Sequence, residues 1–106
     1  MVGYAFTSEW TPLEPTAQSV PWESYYLSLG ETPSPLIAVM KDVDSRPGRG
    51  ATFGDNMAAI HKMAGVVGVV VDGTVRDIEG IERVGMPVWA TGQVPGHGVY
   101  NLVRFN

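Results

Sequence analysis

An α/β fold built on a parallel sheet is what this sequence predicts, on three observations. Between Leu36 and Thr91, apolar runs short enough to be strands alternate with segments of helical spacing. Glycines fall where those helices must stop, at Gly65 and Gly85. The run Val66–Val71 is dense in β-branched residues without polar alternation, the pattern of a parallel strand covered on both faces. The resulting order of strand, loop, helix, strand, loop, helix, strand is a βαβαβ core with two consecutive right-handed crossovers.

The elements follow in order. Met1–Thr7 carries Val2, Tyr4 and Phe6 at alternate positions, the period of a strand with one buried face. Pro12, Pro15 and Pro21 then enforce extended or turn structure up to a helix over Trp22–Leu29, entered at Pro21 and ended by Gly30. Leu36–Met40 suits a buried strand, and Lys41–Gly54 is a polar, Gly-rich loop of a length that is often functional. A helix opens at Gly54-Asp55, with Met57, Ile60 and Ala64 on one face and Gly65 as its stop. Asp72-Gly73 closes the strand that follows. Ile78–Val84 is a short helix ended by Gly85, Pro87–Thr91 is the next strand, Gly92–Gly98 is turn-rich, and Val99–Phe105 is one more strand.

At 106 residues the chain closes one modest core, so 1–106 is read as a single domain. Seven Lys and Arg against eleven Asp and Glu give a net charge of −4, and the basic residues are scattered from Lys41 to Arg104. That distribution leaves no footprint for nucleic acid. The absence of Cys excludes disulfides, zinc–thiolate sites and thiol nucleophiles. The N-terminal stretch has no basic n-region or apolar h-region, and Val66–Val71 is far too short to span a bilayer. The expectation is a soluble, cytoplasmic protein with no membrane partner.

In consecutive βαβ units each helix starts at the edge where the strands end, which is where open α/β sheets bind ligands. Two segments should meet there: the turn Phe53-Gly54-Asp55-Asn56, and the loop Asp72-Gly73-Thr74-Val75-Arg76-Asp77. Amides at a helix entrance suit a carboxylate, and Arg76 adds a bidentate charged contact. Gly54 lets a ligand approach the backbone closely. Asp77, Asp72 and Asp55 are hard oxygen donors of the kind that hold Mg²⁺ together with waters. A cation beside Arg76 would stabilise negative charge growing on a carbonyl oxygen, the demand of aldol cleavage and of β-keto acid decarboxylation.

The runs Gly54-Asp55-Asn56-Met57, Gly65-Val66-Val67-Gly68-Val69-Val70-Val71-Asp72-Gly73-Thr74-Val75-Arg76-Asp77 and Gly85-Met86-Pro87-Val88-Trp89-Ala90-Thr91-Gly92 with Pro95 resemble the central signature of the RraA-like family. Val2-Gly3-Tyr4-Ala5-Phe6-Thr7 resembles its early strand. That family holds class II 4-hydroxy-4-methyl-2-oxoglutarate aldolases and non-catalytic ribonuclease inhibitors. The resemblance implies a swivelling β/β/α domain, assembly as homotrimers or hexamers with sites at subunit boundaries, and a Mg²⁺ or Mn²⁺ cofactor. It implies a lyase acting on a small 2-oxo acid, by retro-aldol cleavage to pyruvate or by oxaloacetate decarboxylation through the same enolate.

Carried over position by position, Arg76 is the arginine on the pyruvate oxygens and Asp77 the metal ligand. Gly54 opens the substrate loop, Asp55 is the acid that acts through metal-bound water, and the amides of Asn56 and Met57 hold the substrate carboxylate. The family's aldolases usually carry an acid where this chain has Gly80, with Glu79 one step early. The resemblance also implies further helical residues before the first strand and further sheet after Asn106, so that the chain stands as an incomplete member. Two rivals to the lyase follow: a protein-binding regulator of the ribonuclease-inhibitor type, and an inactive fragment whose edge strand at Val99–Phe105 needs a partner. Taken alone, Arg76 and Asp77 are an ordinary loop ion pair. His61 reads as solvated or packed, His97 as a turn residue, Asp72 as a turn-former first and, after that, as a group that supports the metal's ligands from behind. Trp22, Trp89 and Tyr25-Tyr26 read as core or subunit-interface residues.

Overall fold

The computed structural model describes residues 2–14, 19–95 and 101–106. In chain order they form β1 (Tyr4–Thr11), α1 (Trp22–Glu31), β2 (Leu36–Asp42), β3 (Ala51–Phe53), α2 (Asp55–Met63), β4 (Val66–Val75), α3 (Ile78–Val84), β5 (Val88–Gln93) and β6 (Asn101–Phe105). One six-stranded sheet runs β3-β4-β2-β1-β6, with β5 on the other flank of β4. All pairings are parallel except β1 with β6. The βαβαβ core from β2 to β5 is therefore present, with β4 at its centre.

Register explains where the core sits. Phe6 stands opposite Ala38, Ala38 opposite Val69, and Met40 opposite Val71. These side chains are buried in one cluster with Trp10, with Tyr25 and Leu29 of α1, with Met57 and Ala58 of α2, and with Ile81 of α3. Tyr25 is at its centre, edge-on to Phe6 at 5.5 Å and to Trp10 at 5.4 Å between ring centroids. The alternate row, Thr7–Val39–Val70–Trp89, points the other way. Val70 is 40% exposed and Trp89 53%.

Several expectations are corrected by the fold. The valine run is not covered on both faces: Val67 and Val70 are exposed, because the helices supply side chains to one core only. Asp72-Gly73 does not close the strand. A register shift between Val71 and Thr74 carries β4 on to Val75, where it pairs with β5 on one flank and β3 on the other. That short β3 lies inside the segment read as loop. β1 starts at Tyr4 and runs to Thr11, so Val2 and Tyr4 are exposed and the buried face is Phe6, Ser8 and Trp10. Gly30 does not stop α1, which ends at Glu31 with the Thr32 amide on the Ser28 and Leu29 carbonyls. Of the aromatic residues, Tyr25 is core, Trp22 is 40% exposed, and Trp89 lies on the open face. Pro15, His97 and Val99 fall outside the described residues. Among those described, no helix is long and apolar enough to cross a membrane.

On α2 the buried residues are Met57, Ala58 and His61, whereas Ile60 is 43% exposed. The helix turns its histidine inward because both ring nitrogens find partners there: Nδ1 lies 2.6 Å from the Met57 carbonyl oxygen and Nε2 lies 2.7 Å from Tyr25 Oη. Burial holds the imidazole neutral, with its pKa pushed down to about 4 from an ordinary 6.5. Between those values the unfolded chain binds the extra proton, so stability falls as pH drops from 6.5 towards 4 and this contribution levels off below. The expected loss is on the order of 3 kcal/mol. Denaturant midpoints of the wild type and His61→Gln across this range will measure it, and parallel pH profiles would remove the assignment.

Candidate functional site

β3 and the end of β4 lie side by side, with Phe53 opposite Val75, and the Arg76 amide donates to the Phe53 carbonyl at 3.0 Å. The two segments leaving these strands are thereby brought to one rim. One is the Gly54 entrance of α2, in extended backbone at φ −141°. The other is Arg76-Asp77, leading into α3.

Arg76 lies across Gly54: a Cβ added there would stand 3.1 Å from Arg76 Cζ and 3.2 Å from both Nε and Nη2. A side chain at this position would press on the guanidinium, so glycine gives the arginine its place. Arg76 Nη1 donates to Asp77 Oδ2 at 2.6 Å, with the arginine side chain 17% and the aspartate side chain 36% exposed. Asp77 adopts the left-handed conformation, φ 60° and ψ 44°, and its carbonyl accepts the Ile81 amide at 2.9 Å as α3 begins. A non-glycine residue held there costs free energy, and such residues concentrate at functional loops.

Asp55 and Asp77 both line an open cleft of about 410 Å³ whose walls also include Glu79, Gly80, Arg83 and Gln93; Arg76 is outside this lining, beside Gly54. Asp55 Oδ1 accepts the Asn56 amide at 2.8 Å. A Cβ on Gly80 would stand 2.6 Å from Asp55 Oδ2 and 2.7 Å from Asp55 Cβ, so the bare first turn of α3 is what admits the Asp55 side chain. A carboxylate thus already rests on one of the two amides expected to receive a carboxylate. Met57 follows as a core residue, 6% exposed as a whole.

Gly54, Asp55, Asn56, Arg76 and Asp77 are therefore drawn together, as the sequence predicts. Asp72 does not line the cleft; it sits in β4 opposite Lys41. Arg83 and Gln93 were not legible as cleft residues. Arg83, one helical turn after Gly80, could have been found from that spacing; Gln93 needed the β4–β5 register, which places it opposite Val75. An apolar groove lined by Val75, Ile81, Met86 and Val88 adjoins the cleft and shares Ile78 and Gln93 with it.

Among the described residues no group of three or more His, Asp or Glu side chains is gathered to enclose a metal ion. The donors on the rim are hard carboxylate oxygens from Asp77 and from Asp55, which lines the same cleft. That set fits a divalent ion held by one or two carboxylates and otherwise hydrated, and does not fit a closed protein cage.

The family model described as RraA-like, Aldolase/RraA, matches residues 1–103. No curated protein matches the sequence. Among solved structures, the chain is similar to RraAS2 from Streptomyces coelicolor, described as an unusual member of the RNase ES inhibitor RraA protein family. The two share 23% identity at a TM-score of 0.72, over 98% of this chain and 51% of that one. The RNA-processing inhibitor RraA from Thermus thermophilis matches with 23% identity and a TM-score of 0.63, over 94% and 57% of the two chains. A third, S-adenosylmethionine:2-dimethylmenaquinone methyltransferase from Geobacillus kaustophilus HTA426, matches with 28% identity and a TM-score of 0.59, over 91% and 53%. The chain spans about half the length of these structures.

Proposed function

The chain belongs to the RraA-like family, and from that premise we propose that it is a divalent-metal-dependent lyase for small 2-oxo acids. Its reaction is retro-aldol cleavage of 4-hydroxy-4-methyl-2-oxoglutarate to pyruvate, or decarboxylation of oxaloacetate, both through a pyruvate enolate. The observation that carries this reading is the Arg76 guanidinium lying across Gly54 at the entrance of α2, with Asp77 bonded to it and Asp55 lining the same cleft as Asp77.

The substrate carboxylate takes the Asn56 and Met57 amides, exchanging with the Asp55 carboxylate that rests on Asn56. Arg76 donates to the keto oxygen and gains strength as that oxygen becomes an enolate, which makes it a transition-state contact. Asp55, released from Asn56, is the group assigned to move a proton between solvent and the carbon at which the C–C bond breaks. Asp77, with Asp55 in reach, would hold Mg²⁺ or Mn²⁺; when bound, such an ion supplies Lewis-acid stabilisation of the same oxygen. In oxaloacetate the C3–C4 bond breaks, its electrons pass to the enolate, CO₂ leaves, and C3 takes a proton to give pyruvate.

The deciding experiment is pyruvate release from oxaloacetate by the purified chain with and without Mg²⁺. Metal-dependent turnover above the rate of the metal alone is expected, and its absence retires the lyase. A protein-binding regulator is the second reading, favoured by the open apolar row at Val70 and Trp89. In that case oxaloacetate is left untouched and Val70→Lys weakens binding to a ribonuclease partner. Oligomeric assembly of the family's kind belongs to either reading.

A further inference from the structure

Gly54, at the entrance of α2, has no side chain with which to cap it, and the local side-chain contact there is Asp55 Oδ1 on the Asn56 amide, which a bound carboxylate would displace. A chain of buried groups reaches the same turn from the core. His61, fully buried, places Nδ1 2.6 Å from the Met57 carbonyl oxygen. A carbonyl only accepts, so Nδ1 carries the hydrogen and Nε2 offers its lone pair. Tyr25 Oη, 2.7 Å from Nε2, must then donate to it. Burial raises the phenol's pKa far above its ordinary value and so keeps that hydrogen on it. The Ser8 hydroxyl neighbours the phenol, and its oxygen accepts Trp10 Nε1–H at 2.7 Å. An indole can only donate, so the hydroxyl oxygen is the acceptor there. The chain of bonds runs one way, from α1 to the first turn of α2.

We propose that Tyr25 and His61 are positioning residues that hold the first turn of α2, and with it the Asn56 and Met57 amides, in the orientation that receives a carboxylate. This rests on the carboxylate-binding reading above. Neither side chain touches the substrate; both act through the Met57 carbonyl. Because those amides bind substrate and transition state alike, loosening them weakens binding and leaves the chemical step nearly as fast.

The test is Tyr25→Phe, which keeps the ring and removes only the O–H, compared with Leu29→Val on the same buried face of α1. In the wild type, ¹⁵N resonances of the imidazole should report a protonated Nδ1 and a bare Nε2. In Tyr25→Phe the amide resonances of residues 55–58 should shift more than those of the rest of α2. Oxalate, used as a carboxylate probe, should bind roughly five- to tenfold more weakly, the scale of one lost hydrogen bond, while kcat on oxaloacetate changes by less than about twofold. A protonated Nε2 in the wild type overturns the proposal. So does a Tyr25→Phe variant that disturbs residues 55–58, or oxalate binding, no more than Leu29→Val does. Should the wild type neither bind oxalate nor turn over oxaloacetate, the lyase reading is what fails, and the resonance comparison still decides whether the chain sets the turn.

Discussion

Arg76→Ala lowers kcat/KM for Mg²⁺-dependent pyruvate release by about 10²–10³-fold, the range seen when one donor to a developing oxyanion is removed. The guanidinium lies against the α2 entrance, at 3.1 Å from where a Gly54 Cβ would be. Its contact with Asp77 at 2.6 Å ties it to a residue that lines the cleft. Arg76→Lys keeps the charge, loses the planar fork, and should recover only part of the rate. Folding should be little affected, since the pair is partly solvent-exposed and such pairs add little to stability. Steady-state rates beside thermal midpoints for the three proteins check this. A retained rate in Arg76→Ala would take the arginine out of the chemistry.

Gly80→Asp is the second large effect, and its sign runs against the family pattern. The resemblance implies that an acid here should improve an aldolase. The structure implies the reverse, because any Cβ at this position stands 2.6 Å from Asp55 Oδ2, and a second carboxylate adds like charge. Asp55 must swing away. Displacing a reacting group by about 1 Å can cost on the order of a hundredfold in rate, so turnover is expected to fall by roughly ten- to a hundredfold. Gly80→Ala separates sterics from charge and should lose less. The contact itself is measured by a double-mutant cycle: Asp55→Gly, which also removes the Cβ that would stand 2.7 Å away, should remove most of the destabilisation that Gly80→Ala causes alone. Additive effects in that cycle, or a rate gain in Gly80→Asp, would show that Asp55 does not occupy the space over α3.

Much of the core was readable because strongly periodic or β-branched stretches admit few alternatives. β4 began at Val66 and α3 spanned Ile78–Val84 as expected, and Gly65 and Gly85, at φ 96° and 81°, end their helices in the way a glycine permits. What escaped depends on partners distant in sequence. β3 has three residues, too few to show a period, and exists because the shifted end of β4 offers it an edge. The buried face of α2 was misplaced at Ile60 because a histidine counts as polar until Tyr25 and the Met57 carbonyl are known to satisfy it. The rim itself was legible, since glycine, arginine and aspartate followed strand ends at which βαβ units open. The placement of Asp55 over Gly80 was not, because it depends on how closely α2 and α3 approach.

Asp77 sits in backbone that L-residues avoid, at φ 60°. Glycine would relax that turn by about 1–2 kcal/mol and delete the carboxylate in the same step. If the lyase proposed above is right, thermal robustness and reactivity pull this single position in opposite directions, and a variant hardened against heat at residue 77 is expected to lose turnover through the substitution that hardened it.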